Sequence, residues 1–135
     1  MTFPRSPYDQ EDNVFYFPRM LSKIRLHLSG DLGDDYEPFR GKGLDGKCCG
    51  FLDVDYNDVI QQVKNGCSDA EVLAWCLENG RSPTEQDTEM YNGYISKLGW
   101  RDKGSDMLAE MVKKAEFKGD IPTFFDFIDT DEGRK

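Results

Sequence analysis

S-D-A-E-V-L-A-W-C-L-E-N-G, residues 68 to 80, reads as one complete short helix with both of its ends written in. Ser68 and Glu71 form a capping box: the serine oxygen takes an orphan N–H of the first turn, and the glutamate reaches back to the serine's own N–H. Val72, Leu73, Cys76 and Leu77 then fall on one side at the 3.6-residue period, and Gly80 supplies the stop. A helix this short is marginal in water by itself, so its apolar face must meet other elements. That predicts a chain built from small helices packed on one another.

The same signals continue on both sides of it. Downstream, Ser82 with Glu85 reads as a second capping box, predicting a helix from Pro83 that buries Met90, Tyr94, Ile95 and Leu98 before Gly99. Met107, Leu108, Met111, Val112 and Ala115 repeat the period. Asp120 and Pro122 then open a last segment with Ile121, Phe124, Phe125 and Ile128 at helical spacing, ending at Gly133. Upstream, Asp55 is placed to cap a helix carrying Val59, Ile60 and Val63, and Asp45 to cap one carrying Cys48, Cys49, Phe51 and Leu52. Earlier still, Pro18 suits a first turn, with Phe17, Met20, Leu21, Ile24 and Leu28 on one face and Gly30 at the end.

Residues 31 to 44 read as an irregular connection, and residues 1 to 16 as an extended arm that packs Phe15 and Phe17 on the body. No stretch alternates as a strand does. The expectation is an all-α, compact single domain over residues 1–135, with six or seven short helices and an extended N-terminal arm, and not an up-down bundle.

Bulk properties narrow the functional classes. Seventeen Lys and Arg against 26 Asp and Glu give a formal charge of −9, which repels a phosphate backbone, so no nucleic-acid partner is expected. Apolar runs are only a few residues long, so no membrane partner is expected either. Four cysteines are present, two of them adjacent, and the opening M-T-F-P-R-S-P-Y-D-Q lacks the basic start and apolar run of a secretory signal. The expectation is a cytoplasmic protein with free thiols.

Residues 40 to 52, R-G-K-G-L-D-G-K-C-C-G-F-L, depart furthest from helix-forming composition. Glycine backbone brings N–H groups close to an anion, and Lys42 and Lys47 flank it. From Asn13 to Gly30 no acidic residue occurs, and Arg19, Lys23 and His27 recur at i, i+4 and i+8 along one helix edge. The expected site is therefore a pocket between the first helix and the glycine loop, taking a small anionic ligand through Arg19, Lys23, His27, Arg40, Lys42, Gly43, Lys47 and Cys48. The structural alternative pairs these cations with the acidic residues of the following loop.

Two rival readings stand beside it: a protein-interaction or homo-oligomerising module that uses the arm and acidic surface, and a thiol-dependent enzyme centred on Cys48 with His27 as base. With one histidine and no paired C-x-x-C, no metal site is expected, and no cofactor is indicated. Trp100 beside Arg101 suggests either ligand stacking or a plug between two helices, the second being commoner at a helix junction.

R-S-P-Y at Arg5 to Tyr8, F-P-R-M-L-S-K-I-R-L-H at Phe17 to His27, G-K-G-L-D-G-K-C-C at Gly41 to Cys49, W-C at Trp75 and Cys76, G-W-R-D at Gly99 to Asp102 and F-F-D-F-I-D-T-D-E-G-R at Phe124 to Arg134 together resemble a bacterial family known only as a domain of unknown function. The resemblance covers nearly the whole chain. It implies a single compact cytoplasmic domain and supplies no catalytic residue.

Overall fold

The computed structural model describes residues 2–135. The chain begins with a small antiparallel hairpin, β1 (Gln10–Glu11) and β2 (Val14–Phe15), in which Gln10 pairs Phe15 and Glu11 pairs Val14. Its two-residue turn, Asp12 and Asn13, has both φ angles positive, the conformation that matches strand twist and that Asp and Asn tolerate best after glycine. Strands so short carry no alternating pattern, so the extended arm is corrected here to an arm with a hairpin in it.

Seven α-helices follow among the described residues: α1 (Phe17–Ser29), α2 (Leu44–Leu52), α3 (Tyr56–Lys64), α4 (Asp69–Asn79), α5 (Glu85–Lys97), α6 (Ser105–Ala115) and α7 (Phe124–Asp131), with a 3-10 turn at Glu37–Phe39. The result is a compact, mostly helical domain. Its core is centred on α1, whose Phe17, Met20, Leu21 and Ile24 are fully buried. Around them lie Cys48 and Leu52 of α2, Val59 of α3, Val72 and Cys76 of α4, Ile95 of α5 and Phe125 of α7. Each large apolar side chain buried in this way contributes about 1.5–3 kcal/mol, so the short helices are held by shared burial and not by their own propensity.

The arm is fastened along its length. Arg5 N–H donates to Ser22 Oγ at 2.9 Å, Ser6 Oγ to Asp129 at 3.0 Å, and Tyr8 Oη to Asp126 at 2.7 Å. At the other terminus Arg134 reaches the Pro4 carbonyl. Both ends of the chain thus close over α7.

Helix starts are partly as expected. Ser68 and Glu71 make the reciprocal capping box of α4, and Asp55 caps α3. The box of α5, however, is Thr84 with Asp87 and not Ser82 with Glu85. The Arg81 N–H bonds Leu52 O at 2.8 Å, holding residues 80 to 83 out of the helix. Asp45 does not cap α2; Gly43 stands at that position with φ 54°, a left-handed value that glycine adopts without strain, and Asp45 lies two residues further in, within the first turn and fully buried.

The face of α5 is also corrected. Met90 and Tyr94 are 67% and 54% exposed, whereas Tyr91 and Ile95 are buried. Tyr91 wins the inward position because it has long-range partners: its ring stacks on Phe51 at 4.2 Å between centroids, and its hydroxyl donates to Phe15 O at 2.9 Å. Leu28 and Trp100 are exposed as well, so Trp100 is no plug.

Candidate functional site

The eight residues singled out in the sequence occupy three different environments. Arg19 and Lys23 point inward and are almost completely buried. Arg19 makes a bidentate pair with Glu132, Nη1 to Oε1 at 2.8 Å and Nη2 to Oε2 at 2.9 Å, and Nη1 also donates to Arg5 O. Tyr36 Oη adds a bond to the same Glu132 at 2.8 Å. Lys23 Nζ lies 3.1 Å from both oxygens of Asp45, which also accepts from Tyr16 Oη at 2.7 Å and from Gly41 N–H at 2.9 Å. These two cations are therefore committed to carboxylates inside the domain. Their partners lie 113 and 22 residues away in sequence, not in the adjoining acidic loop.

His27 and Arg40 meet on one carboxylate. His27 Nδ1 bonds Glu37 Oε1 at 2.8 Å and Arg40 Nε donates to Glu37 Oε2 at 3.0 Å, fastening the 3-10 turn to the end of α1. The bond from His27 first, and that from Arg40, hold the Glu37 carboxyl below its ordinary pKa. Cys48 is wholly buried, and burial pushes its thiol pKa far up. A thiol placed so is protonated and packed, which gives nucleophilic chemistry no support. Lys42, Gly43 and Lys47 are exposed.

Of the eight, Lys47 lines a groove between two helices. One wall is α2, where Lys47 and Phe51 stand one turn apart; the other is α5, with Met90, Tyr91 and Tyr94. The groove is open to solvent and has a volume of about 410 Å³. Lys47 Nζ lies 5.7 Å from the Tyr94 ring centre, and the Arg81 guanidinium 5.4 Å from that of Phe51. Both are within cation–π distance.

Arg81 arrives there because of Gly80. An added Cβ at Gly80 would stand 2.2 Å from Leu52 O and 2.7 Å from Asp53 O, so only glycine lets the chain leaving α4 press against the end of α2. Arg81 Nη2 then pairs with Asp87 Oδ2 at 2.9 Å. Bonds from Thr84, and secondarily the charge of Arg81, hold the Asp87 carboxyl below its ordinary pKa. Burial pushes the Tyr91 phenol far up, so it stays neutral. The arrangement places two cations and the Asp87 carboxylate beside aromatic rings in one groove.

Sequence reading missed most of this site. Met90 and Tyr94 read as core because they share a period with Ile95, and Phe51 and Arg81 carried no motif. The one available signal was a lysine four residues before a phenylalanine on the same short helix.

A second groove, larger at about 540 Å³ and similarly open, runs between α6 and residues 119 to 122, with Trp100, Arg101, Leu108, Val112 and Ile121 in its lining. Arg101 stacks on Trp100 at 4.9 Å. Among the described residues no helix is long and apolar enough to cross a membrane.

A family model described as a domain of unknown function (DUF5069) matches residues 1–134. No curated protein matches the chain.

Proposed function

We propose, for a chain that belongs to the DUF5069 family, that it is a binding domain whose groove between α2 and α5 takes a small anionic ligand. The observation that carries this reading is the pair Lys47 and Arg81, which sit over neighbouring aromatic rings in one groove. Lys47 Nζ lies over the Tyr94 ring and Arg81 is tied to Asp87, contacts that favour both charges standing at the groove before a ligand arrives and so lower the ordering cost of binding. The anion expectation drawn from the glycine loop thus moves to its far side, with Lys47 in common. Arg19 and Lys23 support the scaffold instead.

The test is thermal unfolding in the presence of small anions, acetate, benzoate, phosphate and sulfate, at constant ionic strength. A ligand that binds only the folded state stabilises it by about 2.7 kcal/mol at a hundredfold excess over Kd. At least one anion should raise Tm saturably in the wild type, and added sodium chloride should weaken the effect. Lys47→Ala with Arg81→Ala should lose it. An equal shift in the double variant overturns the proposal.

A further inference from the structure

Resting on that reading, we infer that the groove's ligand is an aromatic monocarboxylate: a flat ring lying on Tyr94 and Met90, with its carboxylate between Lys47 and Arg81. The charge count comes first. Lys47 and Arg81 contribute two positive charges, and Asp87, 2.9 Å from Arg81, removes one. One net positive charge remains in the groove, which matches a monoanion. A phosphate monoester at its second ionisation would bring a second charge against Asp87 with nothing to balance it.

Arg81 retains capacity for the carboxylate. Its pair with Asp87 engages Nη2, and the remaining N–H groups of the planar fork stay available on a side chain that is 45% exposed. The guanidinium, its Cζ 5.4 Å from the Phe51 ring centre, carries those donors on a planar fork, the geometry that suits a two-oxygen acceptor.

The ring preference follows from what is exposed. Tyr91 and Phe51 are stacked on each other with an interplanar angle of 12° and join the two helical walls. Met90 and Tyr94, one turn apart on α5, are the large apolar side chains left open to solvent in this groove. A tyrosine face and a thioether both prefer an aromatic partner to an aliphatic one. Their exposure is explained if a flat apolar body covers them.

The experiment is an NMR titration of the full chain, following backbone amides, with benzoate, cyclohexanecarboxylate, benzyl alcohol and phenyl phosphate as separate probes. Benzoate should shift resonances of Lys47, Phe51, Arg81, Met90 and Tyr94, and bind about fivefold or more tighter than each of the other three. Tyr94→Ala should weaken benzoate about three- to tenfold and cyclohexanecarboxylate less, because both lose the contact that places Lys47 and benzoate alone also loses the ring face. Tyr94 is half exposed, so this variant folds; unchanged unfolding by urea verifies it. Equal binding of cyclohexanecarboxylate overturns the aromatic assignment, and equal or tighter phenyl phosphate overturns the monoanion assignment. In both cases anion binding at the groove still stands. If none of the anions shifts the groove, both proposals fall together.

Discussion

Lys23 Nζ stands 3.1 Å from each carboxylate oxygen of Asp45, and both side chains are closed off from solvent. The pair joins the middle of α1 to the first turn of α2. Because Asp45 also accepts the Gly41 N–H, the same carboxylate closes the tight turn through the glycine loop. The loop's lysine-bearing helix is therefore aimed from inside the core, and the direction of Lys47 depends on a bond between two buried residues.

Removing one member of this pair should be costly. Lys23→Met leaves Asp45 buried with only Tyr16 and Gly41 as donors, and an uncompensated buried charge costs about 3–5 kcal/mol. Lys23→Met with Asp45→Asn removes both charges and should recover part of that loss. Urea unfolding of the three proteins measures it; a single variant within about 1 kcal/mol of wild type would show that the pair does not hold α1 to α2.

Acid should act through Glu132. Burial by itself would raise its pKa, but the bonds and charge of Arg19, with those of Arg134 and Tyr36, outweigh burial and hold it below the ordinary value. A carboxyl lowered in the folded state binds its proton first in the unfolded chain. Its stabilisation is complete above the unfolded value of about 4.3 and is lost as pH falls through the lower folded value. Glu132→Gln should thus lower stability near neutrality and flatten the fall of stability below about pH 5. Other lowered carboxyls, Asp126 among them, keep some slope. A Glu132→Gln profile parallel to wild type across that range contradicts the assignment.

The cysteines should separate by burial. Cys48, Cys49 and Cys76 are at most 5% exposed, while Cys67 is half-buried. Burial pushes the Cys49 thiol up to about 12 and that of Cys76 up to about 11. Iodoacetamide should therefore label Cys67 first in the native protein and all four only after denaturation, as read by peptide mass spectrometry. Rapid native labelling of Cys48 would reopen the thiol reading.

How far the sequence reaches can be seen at individual residues. The capping box at Ser68 and the apolar faces of α1, α3 and α4 are local: period and cap lie within one helix, so they are readable without tertiary information. The start of α5 is not, because Ser82 and Thr84 each have an acid three residues on, and the choice is made by the Arg81 N–H bonding to Leu52 O. Arg19 and Lys23 look like a surface stripe for a related reason. Their carboxylates, Glu132 and Asp45, come from other elements, and only folding brings them together. The candidate groove was hidden similarly, since Phe51 and Tyr91 join its two walls only by stacking across 40 residues.

Gly80 links the scaffold to the groove and gives the sharpest structural prediction. A Cβ there meets two carbonyl oxygens of α2's last turn, Leu52 O and Asp53 O, together with Val54 Cγ1 at 2.6 Å. Backbone oxygens cannot swing aside as the tip of a flexible side chain can, so Gly80→Ala must push the 80–83 segment away from α2. That breaks the Arg81 N–H bond to Leu52 O and carries the guanidinium off the Phe51 ring. The expected cost is about 1–3 kcal/mol of overpacking strain. The groove should lose its preset arginine at the same time. Arg81→Ala, in contrast, removes an exposed side chain and should change stability by less than about 1 kcal/mol. Comparing the two by urea unfolding, with anion-dependent Tm shifts alongside, separates a structural glycine from an accidental one. If Gly80→Ala unfolds like wild type and keeps the anion response, the close approach of α4's exit to α2 does not position Arg81.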